Sequence, residues 1–167
     1  MSRTSAPQDF RYRIVSAFPA GHYAMDGLLG LFDIVLADDI DTAAVECRLT
    51  PELLLNPGFL SKWCRTDESL LMLVLHELHH VILGHTRLFT RVTPEQNIAF
   101  DAIINALICK MFHAAPYRSF FERLNSADSV PGALLRPPPG WPHMLVPSEA
   151  LPHDIRELVR AIYGEAG

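Results

Sequence analysis

The sequence predicts an α+β fold, a small β-sheet followed by helices that pack on it, and three observations predict it. Short apolar and β-branched runs separated by turn residues occupy residues 32–55. Two longer segments with helix start and stop signals follow, at 67–83 and from 93 to about 111. The pentapeptide His76-Glu-Leu-His-His80 lies inside the first of them. With 167 residues, 49% hydrophobic and 20% charged, the chain has the length and composition of one globular domain spanning 1–167.

Residues 1–9 are polar and contain no apolar stretch, so the leader is expected to be flexible and not a secretory signal. Residues 10–31 mix apolar side chains with Pro19, Gly21, Gly27 and Gly30, and read as a short strand or helix followed by a short helix at 23–29. Residues 32–36 and 42–47 flank the acidic turn Ala37-Asp-Asp-Ile-Asp41, the pattern of two strands paired around a loop. Leu53 to Leu55 adds a third strand, which Asn56-Pro57-Gly58 ends.

Thr66 as N-cap, Asp67 and Glu68 in the first turn, and Gly84 as a stop predict a helix over 67–83. Thr93, Pro94 and Gln96 form a capping-box start for a second helix. A short amphipathic helix follows Pro116, over 117–124. Residues 131–152 hold seven of the 13 prolines and are expected to be irregular, as a wrapping segment or as a cleft wall or lid. A last helix covers about 152–163.

The net charge of -5 and the absence of a basic cluster exclude an electrostatically driven nucleic-acid binder. The longest strictly apolar run, Leu70 to Leu75, is too short for a bilayer, which takes about 20 residues, so no membrane association is expected. Cys47, Cys64 and Cys109 are odd in number and far apart, which suggests neither disulfides nor a thiolate metal site, and the expected compartment is the cytoplasm.

His76, Glu77 and His80 form an H-E-x-x-H pattern. On a helix of 3.6 residues per turn the two histidines share a face and reach one metal ion, with the glutamate beside them. Three histidines and a glutamate in an otherwise apolar helix are costly to bury unless they are engaged. His79 lies on the flank of that face and is read as a bystander. Two imidazoles are one ligand short of a catalytic zinc site, which usually takes three and keeps a position for water.

Asp101 is the candidate third ligand, because the helix around it is apolar nearly all round. Asn97 and Asn105, four residues to either side, would orient it, or all three would cross-link neighbouring backbone. His85 is the rival, if Gly84 turns the chain back toward His80.

Four segments, Thr42-Ala-Ala-Val45, Asn56-Pro-Gly-Phe59, His76-Glu-Leu-His-His-Val-Ile-Leu-Gly-His85 and Asn97-Ile-Ala-Phe-Asp-Ala-Ile-Ile-Asn105, resemble in order and spacing a family of bacterial and phage metallopeptidase-like domains. Those domains are often fused to a von Willebrand A-like domain, and the chain looks like a stand-alone copy. The resemblance implies a zincin-like fold, His76 and His80 as zinc ligands, Glu77 as the catalytic carboxylate and Asp101 as third ligand. Gln96 departs from the pattern, standing where an aromatic commonly precedes the asparagine.

The expected activity is Zn2+-dependent hydrolysis of a peptide or protein substrate, with Glu77 as general base. The alternative is a non-catalytic zinc-containing protein-interaction module, and the oligomeric state is left open.

Overall fold

The computed structural model describes residues 3–18, 27, 29–47, 49–88 and 91–164. It has the mixed α+β character expected, and its contacts divide it into two compact units, Met1–Thr90 and Arg91–Gly167.

The first unit carries a four-stranded sheet in the order β1-β2-β4-β3, from Arg3–Ser5, Asp33–Ala37, Ala43–Glu46 and Glu52–Leu55. Strand β4 is central: it pairs parallel with β2 and antiparallel with β3, and Leu53, Leu54 and Leu55 are all fully buried. A strand covered on both faces reads as a continuous apolar run, as this one does.

Strands β2 and β3 were expected to pair with each other, and they do not: β4 lies between them. Crossing that slot takes roughly 10 Å, two inter-strand spacings, which residues 38–42 can span. Asn56 fixes the crossing, its N–H donating to the Thr42 carbonyl at 2.8 Å and its Nδ2 to the Ile40 carbonyl at 2.5 Å.

The polar leader, expected to be flexible, contributes β1. Arg3–Ser5 pairs antiparallel with β2, and its three residues are exposed. An edge strand needs only its backbone to pair, so the apolar signal sought in the sequence is missing there.

Helix α1, Gln8–Ser16, is the helical outcome of the strand-or-helix reading at the start. Apart from Gly27 and Leu29, the short helix expected at 23–29 lies outside the described residues. A helix not anticipated, α2, spans Pro57–Trp63, with Asn56 as N-cap accepting from the Phe59 N–H and Pro57 in the first turn. The Asn-Pro-Gly read as a strand stop is thus also a helix start.

The motif helix α3 runs Asp67–Ile82, one residue shorter than expected. Thr66 caps it by accepting from the Ser69 N–H at 3.2 Å, and Arg13 Nε of α1 donates to Asp67 Oδ1 at 2.9 Å. Ser69 to Leu75 and Leu78 are buried, and α3 packs on α1 and on β3. A one-turn helix α4, His85–Leu88, follows Gly84 and contacts α3.

In the second unit, α5 spans Pro94–Met111 and opens with the full capping box between Thr93 and Gln96. Helix α6 is Ala115–Leu124 and α7 is His153–Tyr163, both contacting α5. Between them a 3-10 turn at Gly132–Leu134 interrupts the proline-rich stretch.

That stretch wraps the unit, as one reading expected. Arg136 Nη1 donates to the Glu122 and Asn125 carbonyls at 2.9 and 3.2 Å, and the buried Trp141 donates from Nε1 to the Tyr163 carbonyl at 3.1 Å. None of Cys47, Cys64 and Cys109 is joined in a disulfide, and burial pushes the Cys109 thiol pKa up. No helix among the described residues is long and apolar enough to cross a membrane.

Candidate metal centre

From Ser69 to Leu75 α3 is sunk in the core, and the helix emerges toward its C-terminal end. There His76, Glu77 and His80 are half-buried, screened from bulk water but reachable. The i, i+4 spacing brings the two rings together with centroids 4.9 Å apart and their Nε2 atoms 3.2 Å apart. A tetrahedral zinc with Zn–N bonds of about 2.0–2.1 Å separates two ligand nitrogens by roughly 3.3–3.4 Å. The Nε2 pair therefore already stands close to the edge length such an ion requires. The same separation is that of a long ring-to-ring hydrogen bond.

His79 is engaged within its own helix. It is buried, 7% exposed, and its Nδ1 lies 2.7 Å from the Leu75 carbonyl one turn back on its own helix. Burial pushes its pKa down, partly opposed by that backbone bond, in which Nδ1 donates along the helix axis.

Gly84 ends α3 with φ 73°, the left-handed conformation in which a helix stop is cheap only for glycine. The reversal does turn His85 back: its Nδ1 lies 3.1 Å from Nδ1 of His80, ring centroids 5.2 Å apart. His85 thus meets the edge of the His80 ring opposite the one that faces His76. Three imidazoles line up as His76, His80, His85, with His80 in the middle.

Asp101 belongs to the second unit, in the middle of α5. It is half-buried, and Asn97 Nδ2 donates to its Oδ2 at 3.2 Å, the orienting bond expected of an i, i+4 pair. Asn105 is buried and donates to the Leu135 carbonyl at 2.9 Å, a tie to the proline-rich segment. The helix is less enclosed than its apolar composition suggested, since Ile103, Leu107 and Met111 are exposed.

His113 and His143 line a cleft of about 710 Å³ in the second unit with Lys110, Trp141 and Tyr163. The proline-rich segment forms part of its wall through Trp141, Pro142, His143 and Leu145. Nothing in the spacing of His113 and His143 signalled that the two would share a cleft, because Trp141 and the chain after it reach that position by tertiary packing alone.

Among known protein families, the model described as "Putative metallopeptidase domain" matches residues 20–130, more than half of the chain. No curated protein and no solved structure matches at a significant level.

Proposed function

The chain belongs to that metallopeptidase-domain family, and from this premise we propose that it is a zinc-dependent peptidase whose ligands are His76, His80 and Asp101. The observation that carries the reading is the His76 and His80 Nε2 pair, 3.2 Å apart at the half-buried end of α3, with Glu77 next in the helix. Its spacing suits zinc, and a structural zinc has no use for the intervening glutamate.

Asp101 is assigned as third ligand by its residue type, its half-burial and the Asn97 bond that holds its carboxylate. The zincin-like fold implied by the family resemblance is part of the same proposal.

Bound there, zinc would supply Lewis acidity and a water that ionises near neutral pH. Glu77 takes the proton from the attacking water and delivers it to the leaving amine, so that neither hydroxide nor an amide anion has to form free in solution.

Strand β3 supports a mode of substrate binding. It stands at the end of the sheet order, and α3 packs against it. An extended peptide adding to that edge would pair backbone to backbone and run alongside the motif helix.

The test is Glu77→Gln, measured for zinc content and for cleavage of an unstructured protein. Zinc should stay near the parental stoichiometry while hydrolysis falls by at least about 100-fold, the usual contribution of a general base. Undiminished cleavage would remove Glu77 from the mechanism. A parent that binds zinc and cleaves nothing, with no exchangeable water on a cobalt-substituted sample, would favour the interaction module instead.

A further inference from the structure

The arrangement around His80 has a second partner that the ligand set does not use. A neutral imidazole carries a single N–H, so His80 can offer a lone pair at Nε2 only if its proton is on Nδ1. Its Nε2 faces Nε2 of His76 at 3.2 Å, and its Nδ1 faces Nδ1 of His85 at 3.1 Å. The bond to His85 can run in either direction, and only one direction is compatible with a metal. If His85 donates, the His80 proton moves to Nε2 and blocks ligation; if His85 accepts, Nε2 is left open.

We propose that His85 is the positioning residue of His80: its Nδ1 accepts the His80 Nδ1–H and fixes both the tautomer and the tilt of the ring. Metal-binding histidines commonly donate their other N–H to a carbonyl or carboxylate, and such partners commonly govern affinity by 10- to 100-fold. Here an imidazole fills that place. His85 is not itself a ligand in this arrangement, because the two nitrogens of a ring point away from one another. An ion on Nε2 of His80 lies on the side opposite the His80–His85 contact.

Gly84 makes the contact available, since its φ of 73° brings the chain back within one residue of the end of α3. The sequence left His85 open as a rival third ligand, and its contact with Nδ1 of His80 assigns it a different task.

The inference rests on the zinc reading above, and its test separates the two. In the zinc-free chain carrying 15N-labelled histidine, at a pH where the imidazoles are neutral, NMR should find His80 as the Nδ1–H tautomer in the parent. The same tautomer is expected in His85→Gln, whose side-chain carbonyl can accept, and should give way to a mixture in His85→Phe. Zinc affinity, measured against a competing chelator, should fall about 10- to 100-fold in His85→Phe and largely recover in His85→Gln.

X-ray absorption of the zinc-loaded samples should count the same number of imidazoles in the parent and in His85→Phe. One imidazole fewer would make His85 a ligand and overturn the proposal, as would an Nε2–H tautomer of His80 in the parent. Equal affinity and an unchanged tautomer in His85→Phe would overturn it too. A parent that binds no zinc would sink the zinc reading, while the tautomer measurement would still decide what His85 does.

Discussion

Adjacent side chains on a helix point about 100° apart, and that rotation divides the labour inside the pentapeptide. His76 and His80 come to the same face, and their Nε2 atoms meet at 3.2 Å. His79, one step short of His80, turns into the core and binds the carbonyl of Leu75. The division predicts a contrast measurable as zinc per chain by atomic absorption. His76→Ala and Asp101→Ala should each lose most of the metal, whereas His79→Leu, similar in volume and apolar like its surroundings, should keep it. Parental zinc in Asp101→Ala would show that the third ligand lies elsewhere. The histidine pair could be read from residue order because both partners belong to one helix. The turn that brings His85 back was legible only as an alternative, and the nitrogen of His80 that it meets was not legible at all.

At the level of elements, what the sequence announced locally was legible. Thr66 and Gly84 bracket α3, and Thr93, Pro94 and Gln96 open α5 where the capping pattern put its start. Such signals act within four residues and need no knowledge of the rest of the chain. Strand pairing is a contest among distant segments, and there the local pattern misled: β2 and β3 are neighbours in sequence, yet β4 takes the place between them. Helix α2 was missed for another reason, that Asn56 serves two elements at once.

The Gly84 turn gives a prediction at this scale. An alanine there would have to hold φ 73° against its own Cβ, costing about 1–2 kcal/mol, with Leu88 Cδ1 3.3 Å from the added carbon. Gly84→Ala should lower the urea midpoint accordingly and, by straining the turn that presents His85, disturb the His80 tautomer in the same NMR measurement. A variant as stable as the parent would mean that the turn is not needed.

The whole chain joins two compact units, and the family match at residues 20–130 takes in α3 from the first and α5 from the second. If zinc is held by ligands that only the folded chain arranges, it stabilises that state by mass action. At a free zinc concentration 100 times Kd the gain is about 2.7 kcal/mol, or roughly 5–10 °C in Tm for a chain of this size. Thermal unfolding with and without zinc should show that rise in the parent, its reversal by a chelator, and no rise in His76→Ala. A rise of equal size in His76→Ala would locate the metal away from α3.

The sequence by itself determined the α+β class, both central helices with their caps, and the His76, Glu77 and His80 group, because each rests on side chains within a turn or two of one another. It also nominated Asp101 through residue type and neighbours on a single helix. Only the tertiary structure decided the strand order, the burial of β4 on both faces, the strand formed by the polar leader and the wrapping course of the proline-rich segment. It alone put Nδ1 of His85 against Nδ1 of His80. Those outcomes depend on which distant surfaces exclude water together and on which ring edge meets which after the chain turns at Gly84, and neither is a property of any short stretch of sequence.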